Sequence, residues 1–227
     1  MEIPTINVDP SGAQHTHTVV FLHGRGDNAQ NFIRSLSHSR DGQNRTLADA
    51  LPSFRWVFPQ APTRKCASSP ESWPQWFDVW NVTNFADREE LQAEGLKEAV
   101  PKILQILRDE AVKLGSEDKP AWERVILAGI SMGAATSAHV LFNLDAPRLG
   151  AFIGFSCRCP SVGRSLEEMR KVLSLQFPPT HDQAVRNTPI LLEHCVDDPL
   201  VKIENGRLMA NTLKDFGAEV FTREYAQ

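Results

Sequence analysis

The chain has 227 residues, long enough for one domain that buries its own core without staples. Its 24 basic residues are scattered and outnumbered by 28 acidic ones, so there is no electrostatic case for a nucleic-acid partner or an anionic membrane surface. The four cysteines, Cys66, Cys157, Cys159 and Cys195, form neither a disulfide framework nor a zinc pattern, because only one residue separates Cys157 from Cys159; free thiols in a reducing compartment are expected.

Met1 to Thr5 has no basic segment followed by an apolar one, so no signal peptide is read there. No apolar run approaches the ~20 residues that span a bilayer, and a cytoplasmic location is expected. Residues 1–16 read as a loosely ordered lead-in to a single domain over 1–227. Short apolar runs then predict strands at Thr18–Leu22, Arg55–Phe58, Arg124–Gly129, Ala151–Phe155, Pro189–Glu193 and Glu219–Tyr225. Between the second and third, Leu96, Val100, Ile103, Leu107, Ala111 and Leu114 recur at three- and four-residue steps and predict a helix, with Pro101 as a kink or start and Gly115 as its end. Further helices are predicted over Ala134–Leu144 and Asn205–Phe216. Strands alternating with helices imply an α/β fold, a mostly parallel sheet with helices on both faces. Residues Lys65–Arg88, with Trp73, Trp76, Trp80, Pro70 and Pro74, show no period; a packed surface excursion and a substrate-channel lining both fit.

Three segments carry chemistry. Gly129-Ile130-Ser131-Met132-Gly133 lies between an apolar strand and a small-residue helix, the setting in which a strained turn lifts a serine hydroxyl clear of the backbone as a nucleophile. Leu22-His23-Gly24-Arg25-Gly26-Asp27 follows the first strand. Acyl transfer needs two backbone N–H groups aimed at the developing oxyanion, and the main-chain amides of Arg25 and Met132 are the candidates. His23 reads as a brace of that loop. The strand Pro189–Glu193 runs into Asp197-Asp198-Pro199-Leu200-Val201; an acid there, after the serine in chain order, would orient a catalytic histidine. Asp198 is preferred because it directly precedes Pro-Leu-Val, although two adjacent acids also fit a solvated loop.

These segments, with Phe58-Pro59-Gln60-Ala61-Pro62 and Trp76-Phe77-Asp78, resemble the Leu-His-Gly-x-Gly-Asp, Phe-Pro-x-Ala-Pro, Trp-Phe-Asp, Gly-x-Ser-x-Gly and His-Gly-x-x-Asp motifs of the acyl-protein thioesterase and small carboxylesterase (lysophospholipase-like) group, in the same order from about Val19 to Tyr225. The resemblance implies an α/β-hydrolase fold with no separate cap domain. It implies hydrolysis of esters or thioesters of acyl substrates, acylated protein or lysolipid, with Ser131 as nucleophile, Asp198 as orienting acid and Trp76 and Phe77 as substrate contacts. No cofactor or metal is implied. Departures are Met132 where glutamine is frequent, Ile130 for an aromatic, Cys195 for a glycine, and Cys157-Arg158-Cys159-Pro160 after Ser156.

By the same resemblance, Glu224-Tyr225-Ala226-Gln227 corresponds to the strand end that leads to a Gly-x-x-His carrying the base, so the C-terminal end reads as truncated before that histidine. Without an imidazole a serine hydroxyl is a poor nucleophile near neutral pH, and such a loss costs about six decades in serine proteases. Of the internal histidines, His139 lies too far along the helix after Ser131, His194 ends the strand before Asp198, His181 sits in a loop, and His15, His17 and His38 lie in exposed early segments. A chain that keeps an acyl-binding groove without turnover is the alternative expectation. The family's final helix would cover one sheet face, and its expected absence favours self-association or a partner, with a homodimer as the expectation.

Overall fold

A computed structural model describes residues 2–12 and 14–226. The elements in chain order are β1 (Thr5–Val8), β2 (His17–Leu22), α1 (Ala29–His38), α2 (Leu47–Ala50), β3 (Phe54–Pro59), β4 (Thr63–Lys65), β5 (Ser72–Pro74), α3 (Glu90–Leu114), β6 (Val125–Ile130), α4 (Met132–Phe142), β7 (Ala151–Phe155), α5 (Leu166–Leu173), α6 (Gln183–Asn187), β8 (Ile190–Cys195), α7 (Ile203–Asp215) and β9 (Val220–Tyr225). The main sheet has the order β1-β3-β2-β6-β7-β8-β9, parallel throughout except for β1, and β4 and β5 form a separate antiparallel pair. All six predicted strands and the three predicted helices are present, with ends shifted by a few residues.

The sheet divides the core because neighbouring side chains on a strand point to opposite faces. On β2, Val20 and Leu22 join α3 to α7 on one face, whereas Val19 and Phe21 join α1 on the other. The helices are shared unevenly. Five pack on the first face, while the second has α1 and the four-residue α2, leaving Ile126, Ile153, Phe155 and Leu191 half-buried and Phe221 and Tyr225 exposed. No helix among the described residues is long and apolar enough to cross a membrane.

Two expectations change. Residues 5–8, read as part of a loose lead-in, form β1 on the sheet edge, antiparallel to β3; only an edge strand with one solvated face lacks the apolar run that marks the inner strands. Helix α3 runs unbroken through Pro101, which lies on its exposed side, so the ladder bond that proline removes faces water.

The Lys65–Arg88 excursion is a packed one. Trp76 and Phe77 are fully buried, and α3 crosses them at Gly95. A Cβ at Gly95 would come within 2.7 Å of the Trp76 carbonyl and of the Phe77 Cβ. Asp78 satisfies this irregular backbone, accepting from the N–H groups of Ala67 (2.7 Å) and Val79 (2.9 Å). Gly95→Ala should therefore destabilise the fold by roughly 2 kcal/mol or more despite its better helix propensity, because backbone has to move. Urea unfolding checks this, and an unchanged or raised midpoint would contradict the contact.

Candidate active site

The first turn of the site is dictated by β6 running straight into α4. Ser131 lies between them with φ 53° and ψ −118°, a left-handed conformation that a non-glycine residue adopts only where its surroundings hold it. Its N–H donates to the Phe155 carbonyl at 2.9 Å, tying the turn to β7. The flanking glycines are there for space. A Cβ on Gly129 would meet the Ala134 nitrogen at 2.5 Å, and one on Gly133 would fall on the carbonyls of Leu22 and His23, the latter at 2.6 Å. The turn is thus pressed against the end of β2.

That contact brings the loop after β2 beside Ser131, so close that a Cβ on Gly24 would be 3.7 Å from the Ser131 Cβ. Met132 opens α4, so its N–H has no partner within the helix. Among the described residues the main-chain N–H of neither Arg25 nor Met132 makes a hydrogen bond. Two unpaired donors flank the serine, as electrostatic stabilisation of an oxyanion requires.

The loop is held from behind. Trp76 donates its indole N–H to the His23 carbonyl at 2.8 Å, and the Gly26 N–H donates to the Pro74 carbonyl at 2.8 Å. His23 accepts from the Ala61 N–H at 3.1 Å through Nε2 and faces the Gly24 carbonyl at 2.8 Å through Nδ1. Burial lowers its pKa, so it is a neutral brace. Trp76 and Phe77, predicted as substrate contacts, have no surface to offer a substrate; they belong to the core and to the support of this loop.

At the end of β8, Asp198 stands half-buried beside the exposed Asp197. Burial raises its pKa, but the N–H groups of Val201 (2.9 Å) and Leu200 (2.8 Å) and the Ser156 hydroxyl outweigh that, and the carboxyl titrates below its ordinary value. Ser156 was not singled out by the sequence. It follows β7 with φ 45°, and it links Asp198 to the strand whose Phe155 carbonyl anchors Ser131. Nothing in the sequence beyond its place after an apolar strand marks it.

All seven histidines are described, and each is occupied elsewhere. His194, buried, points Nε2 at the Val201 carbonyl (2.6 Å), 3.8 Å from the Asp198 carboxylate, with its ring seated on Gly206 of α7. His139 faces the Pro160 carbonyl at 3.3 Å, His181 pairs with Asp145 at 3.0 Å, and His15, His17 and His38 bond Thr18, Thr16 and the Arg34 carbonyl. The Cys157 and Cys159 thiols are buried, and burial pushes both up to about 12, so neither is a thiolate at neutral pH. Arg158 between them is buried over the rings of Phe77 (5.5 Å) and Phe85 (4.1 Å) and donates to Gln92 at 2.8 Å.

A hollow of about 500 Å³ opens on the α1 side of the strand ends, lined by Phe21, Phe32, Ile130, Phe155 and Tyr225 with Ser156 at its edge.

A family model described as phospholipase/carboxylesterase matches residues 4–227. The chain is 29% identical over 222 residues to acyl-protein thioesterase 1 of Gibberella zeae, covering 96% of this chain and 85% of that protein. It is 25% identical over 206 residues to acyl-protein thioesterase 1 of Yarrowia lipolytica, covering 90% and 79%. The crystal structure of Zea mays acyl-protein thioesterase 2 superposes with a TM-score of 0.72 at 22% identity, covering 99% of this chain and 90% of that one, a likeness of fold.

Burial lowers the His139 pKa from 6.5 to about 4, against the raising effect of the Pro160 carbonyl. The unfolded chain binds the extra proton between those values, so the stability His139 contributes is complete above 6.5 and is lost as the pH falls toward 4, on the order of 3 kcal/mol. Urea midpoints from pH 7 to 4 should fall more steeply for the native chain than for His139→Gln; parallel slopes would contradict a neutral buried imidazole.

Proposed function

The chain belongs to the phospholipase/carboxylesterase family, and on that premise we propose that it hydrolyses carboxylic esters or thioesters of acyl substrates through Ser131. The observation that carries the reading is the strained turn at Ser131 with the Gly24–Arg25 loop packed against it. In this reading the Ser131 Oγ attacks the acyl carbonyl and gives its proton to a base. The main-chain N–H groups of Arg25 and Met132 stabilise the oxyanion. The alcohol or thiol leaves with that proton, and water then releases the acid from the acyl-serine by the same steps in reverse. Asp198, held ionised by its N–H donors, orients the base.

None of the seven histidines is assigned as that base, because each holds another partner. The imidazole that Asp198 would orient is therefore none of these seven. The relatives named acyl-protein thioesterases make an S-acylated protein the first substrate class to try, with lysolipids second.

Added imidazole tests this directly. p-Nitrophenyl butyrate hydrolysis by the chain should rise with imidazole by about tenfold or more over the same titration of Ser131→Ala. Equal titrations would contradict the nucleophile assignment and favour the second reading, an acyl-binding module without turnover, which the occupied histidines support; saturable binding of a non-hydrolysable acyl thioether would then identify it. The thinly covered sheet face around Leu191, Phe221 and Tyr225 supports self-association in either case. Light scattering should give a dimer mass, and a monomer at high concentration would overturn that part.

A further inference from the structure

We propose that Gln75 is a positioning residue for the oxyanion loop, acting through the Arg25 side chain; this rests on the reading above that the Arg25 main-chain N–H is one of the two oxyanion donors. The loop His23–Gly26 is gripped by four consecutive residues of the excursion. The Trp76 indole holds the His23 carbonyl, the Pro74 carbonyl holds the Gly26 N–H, and the Trp73 ring lies on Gly26, where an added Cβ would be 3.0 Å from it. Among the described residues Arg25 itself is held only through its side chain. Its Nε–H donates to the Gln75 Oε1 at 2.8 Å, and Nη2 reaches the Cys66 thiol at 3.4 Å.

Gln75 can set that position because it is itself fixed. Its side chain is fully buried. The amide nitrogen faces the Arg64 carbonyl (3.5 Å), the Asp78 carboxylate (3.4 Å) and the Cys66 thiol (3.7 Å), which leaves Oε1 as the group turned to Arg25. The guanidinium ends on Gln75 and Cys66, so tethering it there sets where the Arg25 main chain sits. Without the acceptor, a half-buried guanidinium loses its partner and has to move, taking the donor with it. A donor displaced by a fraction of its bond length loses most of its differential stabilisation of the oxyanion.

Gln75→Leu removes the acceptor at nearly constant volume. With imidazole present, Ser131-dependent kcat for p-nitrophenyl butyrate should fall about tenfold with KM within about twofold. Arg25→Met should give the same loss, and the double variant should lose no more than either single, the coupling expected of residues that act as a unit. Multiplicative losses, or a change confined to KM or Tm, would overturn the proposal. Amide exchange at Gly26 gives a readout without turnover: it should speed up about tenfold in both single variants. Unchanged exchange in both refutes the positioning role even where hydrolysis is absent, whereas absent Ser131-dependent hydrolysis with accelerated exchange refutes only the esterase reading. Should Gln75→Leu fail to fold, Arg25→Met removes the same tie from its other end, and kcat and Gly26 exchange within about twofold of the native chain in that variant would overturn the role.

Discussion

The structure turns on one backbone contact, the seat of Gly133 against the carbonyls of Leu22 and His23. Because no methyl group fits there, the start of α4 lies directly on the end of β2. That single approach does two things. It holds Ser131 in a left-handed corner, and it brings the loop after β2 alongside the serine, so Arg25 and Met132, whose main-chain N–H groups make no hydrogen bond among the described residues, each follow directly on one of the two segments in contact. The Met132 group follows from where two pieces of main chain meet, and the Arg25 group follows from that contact together with the tie of its side chain to Gln75. The cost of the strained corner, of order 1–3 kcal/mol, is offset by the sheet, whose Phe155 carbonyl holds the Ser131 N–H.

Around that contact the two faces of the sheet differ. The face with α3 to α7 is closed and buries Trp76 and Phe77, so the aromatic excursion stiffens the loop beside the serine. The face with α1 is thinly covered over β6 to β9, and the open hollow beside Ser156 lies there. Asp198 is reached from β8 through Ser156 with its carboxyl ionised, while His194, its sequence neighbour, is turned into the closed face and seated on Gly206. Ser131, Asp198 and the unpaired N–H groups of Arg25 and Met132 are therefore present without an imidazole joining them among the described residues.

Much of this was legible in the chain. The inner strands β2, β6, β7 and β8 are buried on one face and at least half-buried on the other and so read as apolar runs, and α3 carries its stripe through Pro101. The Gly-x-Ser-x-Gly string located the corner because strand and helix signals flank it. What stayed hidden depends on partners distant in sequence. β1 exists only by pairing with β3. The burial of Trp76 and Phe77 is set by Gly95, and the role of Gln75 by Arg25, fifty positions away. Other signals were present and unread: Asn28 caps α1 by accepting from the Asn31 N–H, and Ser165 with Glu168 makes the capping box of α5.

The most direct measurement is peptide mass spectrometry after brief, quenched exposure to p-nitrophenyl butyrate in the presence of imidazole. The account predicts one butyryl group on the peptide carrying Ser131, absent in Ser131→Ala. Butyryl groups found only on lysines, or equally in the variant, would contradict it: the corner would then be a fold feature that does no acyl transfer.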